Sequence, residues 1–179
     1  MIINNGFDKK LKKILGETIS DEHIVILEKL TKPRYDEDIA EELSEKAVTI
    51  RKLLNELHDK SLVQYVRTKN PKTGWYTYVW DRRNDKIIEY CKNYIQSKID
   101  KIDEKLDNET NNVMFACSCS EEYEEYFPTS KAMENDFLCP KCNEYVTEFD
   151  NSNIIRDLEE DKTELTEELK KLDKVKITG

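Results

Sequence analysis

Leu62-Val63-Gln64-Tyr65-Val66-Arg67 and Trp75-Tyr76-Thr77-Tyr78-Val79-Trp80, joined by Thr68-Lys69-Asn70-Pro71-Lys72-Thr73-Gly74, decide the fold. Both flanks are rich in β-branched and aromatic residues, and the joining segment is made of turn formers, so the stretch reads as a β-hairpin. The residues before it keep a helical period. Phe7, Leu11, Ile14 and Leu15 suggest a short leading helix ending at Gly16. Ser20 is placed to cap a helix from Asp21 to Thr31, where Ile24, Leu27 and Leu30 share a face and Pro33 ends the run. A second short helix is expected over Asp36-Glu37-Asp38-Ile39-Ala40-Glu41-Glu42-Leu43. Ser44 is then expected to cap a third, with Ala47, Ile50, Leu53, Leu54 and Leu57 as its apolar stripe. Three helices followed by a hairpin within about 60 residues make the winged-helix layout, a helix-turn-helix with a wing.

Beyond the hairpin the helical period returns. Ile87, Ile88, Cys91, Tyr94, Ile95, Ile99, Ile102 and Leu106 fall on one side of a long connector, so Cys91 reads as a packed apolar residue. Ile154, Ile155, Leu158, Leu165, Leu169 and Leu172 mark a terminal acidic helix, too short for an independent coiled coil and expected to pack on the connector or a partner. The expected class is mainly α with small β elements: a winged helix over residues 1–83, a helical linker over 84–112, a zinc-ribbon-like module over 113–150 and a C-terminal helix over 151–179.

The chain has 179 residues, with only four glycines and four prolines, which excludes a long flexible low-complexity segment. Met1-Ile2-Ile3-Asn4-Asn5-Gly6 lacks the basic start of a signal peptide, and no apolar run is long enough to span a bilayer, so a cytoplasmic protein is expected. The net charge of −9 is uneven: residues 1–82 carry 15 Lys/Arg and 14 Asp/Glu, residues 83–179 carry 14 and 24. The acidic half would avoid phosphates and suit a basic protein surface, unless its acids are merely solvated helix faces.

Four of the five cysteines fall between Cys117 and Cys142. In a reducing compartment such clustering points to a metal site. Cys139-Pro140-Lys141-Cys142-Asn143 is one knuckle of a ribbon, with Asn143 where a positive φ is needed. The partner pair, Cys117-Ser118-Cys119, is one residue shorter than usual. Two readings stand: one structural zinc held by Cys117, Cys119, Cys139 and Cys142, and a metal-free ribbon held by Phe115, Tyr123, Phe137 and Tyr145. A catalytic zinc would need an open position beside a general base, and the only histidines, His23 and His58, belong to the other module.

The third helix offers Lys46, Arg51 and Lys52 against Glu45 and Glu56, and the helix before it carries five acids and no base. That charge disfavours reading of an operator in the major groove, while Arg51 and Lys52 stand with the wing residues as candidate nucleic-acid or polymerase contacts. In the wing, Arg67, Lys69 and Lys72 sit beside Trp75, Tyr76 and Tyr78, with Arg82 and Arg83 just beyond. Cations interleaved with aromatics suit a single strand, whose bases stack while its phosphates are tracked. Tyr78 or Trp80 is expected in the hairpin core, and Trp75 is the expected exposed contact.

The acidic helix 36–43, Arg51-Lys52-Leu53-Leu54-Asn55-Glu56-Leu57, Leu62-Val63-Gln64-Tyr65, Gly74-Trp75-Tyr76-Thr77-Tyr78-Val79-Trp80, Lys131-Ala132-Met133-Glu134-Asn135-Asp136-Phe137-Leu138-Cys139-Pro140-Lys141-Cys142 and Phe149-Asp150-Asn151-Ser152 together resemble the archaeal transcription factor E alpha-subunit family, homologous to the alpha subunit of the eukaryotic general factor IIE. The resemblance runs through nearly the whole chain in one domain order. It implies a basal initiation factor without enzymatic activity, acting as a monomer at the nucleoid. The family's winged helix binds the RNA polymerase clamp, and its ribbon lies near the stalk subunits. Its members help the TATA-binding protein and transcription factor B assemble at promoter DNA, stabilise the melted bubble and contact the non-template strand. A beta subunit is left as an open partner. The family's ribbon carries two C-x-x-C pairs, and the shortened Cys117-Ser118-Cys119 departs from it. Two other classes compete: a metal-responsive winged-helix repressor, and a zinc hydrolase or nuclease, which would need histidines and carboxylates around the cysteines.

Overall fold

A computed structural model describes residues 7, 9–69, 74, 76–119 and 126–174. They form two compact units, residues 1–94 with 171–179, and residues 95–170.

In the first unit α1 (Lys9–Gly16), α2 (Asp21–Lys29), α3 (Asp36–Leu43) and α4 (Ala47–Asp59) close over a core that includes Leu15, Leu27, Ile39, Leu54 and Leu57, each with no more than 1% of its surface exposed. These are the positions the 3.6-residue period selects. Two caps differ from expectation. Ser20 does stand before α2, but its hydroxyl makes no backbone cap and instead contacts His23 Nδ1 at 2.7 Å. The other ring nitrogen of His23 lies 2.9 Å from Glu56 Oε2, so this buried imidazole ties α2 to α4. Ser44 ends α3 rather than starting α4. It takes φ 55°, its N–H donates to Glu41 O, and the Glu45 N–H donates to Ala40 O. This is the Schellman arrangement, which satisfies the last carbonyls of a helix and turns the chain sharply. Lys46 then precedes α4.

The wing is an antiparallel pair, β2 (Val63–Lys69) and β3 (Tyr76–Arg82), in register from Val63↔Arg82 to Lys69↔Tyr76. A two-residue strand, β1 (Arg34–Tyr35), adds to the far edge of β3, giving the order β1-β3-β2. Pro33 and the shortness of β1 hide it from pattern reading. Trp80 is buried, as expected of the hairpin core. The start of α5 (Asn84–Asn111) brings Ile87, Ile88 and Cys91 into this unit's core, and burial pushes the Cys91 thiol up to about 12. The end of α7 (Ser152–Asp173) adds buried Leu172 and a 2.6 Å ion pair from Asp173 to Lys92.

The second unit contains a three-stranded antiparallel sheet ordered β5-β4-β6, from β5 (Tyr126–Pro128), β4 (Met114–Ala116) and β6 (Thr147–Phe149). A short helix, α6 (Thr129–Glu134), was not legible in the sequence. Cys117, Phe127, Ala132, Cys139 and Val146 are buried together, with Phe115 and Phe137 packed against them. Tyr145, expected in this core, is 75% exposed: its backbone pairs with Leu138 while its ring faces solvent. Tyr123 lies outside the described residues. Glu109 near the end of α5 accepts from Tyr126 Oη at 2.8 Å and from Asn151 Nδ2 at 2.7 Å, and Asn151 also reaches the Glu109 carbonyl. Lys162 of α7 pairs with Asp103 of α5. Among the described residues no helix is long and apolar enough to cross a membrane.

Candidate functional site

Residues directly opposite in an antiparallel pair share a face of the sheet, as do residues two apart along a strand. The observed register therefore puts Tyr65, Arg67 and Lys69 of β2 on one face with Trp80, Tyr78 and Tyr76 of β3. Two groups of contacts lie on this face, one at its base and one toward its tip. His58 of α4 lies 5.1 Å from the Tyr65 ring, which meets Trp80 at 5.0 Å and Tyr78 edge-on at 5.1 Å. Toward the tip, the Arg67 guanidinium sits 3.9 Å over the Tyr76 ring. Exposure climbs along the row, from 3% at Trp80 through 39% at Tyr78 to 61% at Tyr76. The register of β2 with β3 presents Tyr76 and Arg67 to solvent on the same face, beyond the packed inner rings. A flat π surface with a cation already stacked on it can receive a nucleobase and hold the adjoining phosphate.

The cysteine cluster is equally well defined. All four sulfurs, from Cys117, Cys119, Cys139 and Cys142, lie within 4.8 Å of one another. Cys117 Sγ is 3.4 Å from Cys142 Sγ, and Cys119 Sγ is 3.6 Å from Cys139 Sγ. Four thiolates about 2.3 Å from a tetrahedral zinc would be about 3.8 Å apart, so the observed spacing fits that ion. In the Cys139–Cys142 knuckle, Asn143 takes φ 62° and its N–H donates to Cys139 O at 2.9 Å. The positive φ expected of Asn143 is thus present. Backbone N–H groups of Cys142 and Lys141 point at the Cys139 sulfur and draw its pKa down to about 6. Cys119, in contact with the sulfurs of Cys142, Cys117 and Cys139, is pushed up to about 12. The short pair converges through a turn over Ser118 and Cys119, beyond the end of β4 at Ala116. These four residues could hold one structural zinc.

The family model for the TFIIE alpha subunit matches residues 9–111. The chain belongs to the TFIIE alpha subunit family. It is also similar to proteins named Transcription factor E from three archaea. That of Methanocaldococcus jannaschii is 41% identical over 136 residues, 75% of this chain and 76% of the relative. That of Saccharolobus islandicus is 34% identical over 160 residues, 89% of each chain. That of Thermococcus kodakarensis is 30% identical over 164 residues, 90% of this chain and 88% of the relative. A regulatory, non-enzymatic role in transcription initiation follows from membership.

For this TFIIE alpha family member, the residues singled out in the sequence separate into groups. Arg67, Lys69 and Tyr76 come together on the wing face; Lys72 and Trp75 lie outside the described residues. Arg51 donates through Nε to the buried Asp36 carboxylate and through Nη2 to Glu37 at 3.4 Å. Lys52 is largely exposed and 3.8 Å from Glu56. Arg82, read as a cation just beyond the wing, is buried: it donates to Leu27 O at 2.9 Å, lies 5.0 Å over the Phe7 ring, and burial lowers its pKa. Its location follows from the register, which places Arg82 opposite buried Val63 at the base of the hairpin. Arg83 pairs with Asp85. Tyr65 and His58 were missed as supports of the wing face. The two-residue alternation from Tyr65 to Lys69 was the available signal for Tyr65, while His58 reaches it only through tertiary packing.

Proposed function

We propose that this factor binds RNA polymerase and the opened promoter together and so favours DNA melting. The observation that carries the reading is the wing face, which runs from buried Trp80 through half-exposed Tyr78 to a solvent-facing Tyr76 with Arg67 stacked on it. In this reading residues 1–83 seat on the polymerase clamp while Arg67, Lys69, Lys72, Trp75 and Tyr76 meet the non-template strand. Residues 84–112 act as linker, residues 113–150 as a zinc-bearing ribbon near the stalk, and residues 151–179 as an acidic terminal helix. The factor works with the TATA-binding protein and transcription factor B, in the cytoplasm and associated with the nucleoid through RNA polymerase. No catalytic group is required, since a ligand with higher affinity for the open complex shifts the equilibrium by that affinity difference.

Permanganate footprinting at a weak archaeal promoter tests this. The protein should raise thymine reactivity in the bubble, and Tyr76→Ala should weaken that effect by the about 1–3 kcal/mol that one base–aromatic stack contributes. A folded Tyr76→Ala protein that opens DNA as well as the parent would remove the wing from the mechanism. A repressor reading an operator through α4 is disfavoured by the engagement of Arg51 with Asp36 and Glu37. A tight, sequence-specific shift of duplex DNA without polymerase would reinstate it.

A further inference from the structure

A second surface on the winged helix is chemically unlike the wing. Between α2 and α4, closed at one end by the turn after α3, lies a groove of about 440 Å³. Its apolar lining is Val25 and Ile26 of α2, Leu43 of α3, and Ile50 and Leu53 of α4. Ile26 and Ile50 are buried and form the floor, while Val25 remains 40% exposed. A groove of this size takes two or three aliphatic side chains.

The rim is acidic and uncompensated. Asp21, Glu22 and Glu45 border the groove and are exposed, and among the described residues none of them enters an ion pair. On nearby α3, Asp36 and Glu37 are held by Arg51, and Glu42 by Lys29 and Arg34, whereas Asp38 and Glu41 are exposed and, among the described residues, enter no ion pair either. Asp21 and Glu22 also complement the positive end of α2, and Glu45, immediately before the N-cap Lys46, stands beside the positive end of α4. An apolar trough edged by three carboxylates without cations complements one kind of occupant.

We propose that this groove docks a basic amphipathic helix of a partner protein, with aliphatic side chains one helical turn apart on Ile26 and Ile50 and flanking Lys or Arg on Asp21, Glu22 and Glu45. The inference does not rest on the wing's role, because the wing face uses none of these residues. It gives the winged helix two working surfaces, one cationic-aromatic and one acidic-apolar.

The probe is a fluorescein-labelled helical peptide with leucines at i, i+3, i+4 and i+7 and lysines elsewhere, followed by anisotropy against the full chain. Thr49→Trp fills the groove without altering charge, and Asp21→Lys/Glu22→Lys/Glu45→Lys reverses the rim. Each should weaken binding by about tenfold or more, while Glu159→Lys/Glu160→Lys/Asp161→Lys on α7 should not. Val25→Asp, at an exposed position, serves should Thr49→Trp unfold the unit by circular dichroism. The proposal is overturned if the parent does not bind the peptide. It is also overturned if the folded groove variants bind normally, or if the α7 reversal costs as much as the rim reversal. Sedimentation showing a dimer that Thr49→Trp dissolves would assign the groove to a second copy of the chain and likewise overturn it.

Discussion

Replacing Arg51 with Met separates an internal tie from a nucleic-acid contact. Asp36 has a side chain only 2% exposed, and Arg51, itself 47% exposed, lies on its carboxylate. Removing one partner of a fully buried pair costs about 3–5 kcal/mol, mostly because the other charge is stranded. Here the cation stands half in water, so the expected loss is smaller, about 2 kcal/mol. Glu37, at 3.4 Å and 70% exposed, adds little. Urea unfolding followed by far-UV circular dichroism, run on Arg51→Met, Asp36→Asn and the double variant, isolates the pair. The double variant should recover part of the loss, with a coupling of about 1–2 kcal/mol. Under conditions where all variants are folded, Arg51→Met should open promoters normally. A coupling below about 0.5 kcal/mol, or lost promoter opening with unchanged stability, would show that Arg51 serves an external ligand and refute the reasoning.

Two further outcomes follow from the cysteine cluster and the acidic helix. Chelator-washed protein should retain about one zinc per chain by elemental analysis, and Cys119→Ala should lower retention and expose the remaining thiols to a chromogenic reagent; parent protein without zinc would favour the metal-free ribbon. Hydrogen bonds from Lys29 and Arg34 hold the Glu42 carboxyl down at about 2, against an ordinary 4.5. A depressed folded-state pKa stabilises above the unfolded value and is lost as pH falls. The midpoint of thermal unfolding should therefore decline from about pH 4.5 toward 2, and less steeply in Glu42→Gln, with parallel profiles counting against the triad.

Much of the fold is legible because burial selects residues with the period of the element that carries them. The acidic helix was read at the bounds the structure shows, Asp36–Leu43, because Ile39 and Leu43 stand one turn apart after three first-turn acids. Cys91 was assigned to the apolar stripe of α5 by the same logic, and it is fully buried. Asn143 was legible for a local reason: after a knuckle the backbone needs a positive φ, which Asn tolerates. Ser44 misled because Ser favours a helix start and only rarely takes a left-handed helix end, and it is the bonds to Ala40 and Glu41 that reveal the end. Tyr145 misled because sidedness in a short irregular ribbon depends on which strand pairs with which.

What the sequence by itself determined is the inventory: helices, a hairpin, a wing rich in cations and aromatics, and two cysteine pairs. Those follow from local periodicity and spacing, which need no knowledge of distant contacts. Tertiary structure decided which charges are available. Arg67 is stacked and exposed, Arg51 is held by Asp36, and Arg82 is buried beneath the hairpin, although all three read alike as basic residues around a helix-turn-helix. It also brought the shortened Cys117-Ser118-Cys119 pair within range of Cys139 and Cys142. Metal coordination depends on where four sulfurs meet in space, and the fold of the ribbon sets that convergence.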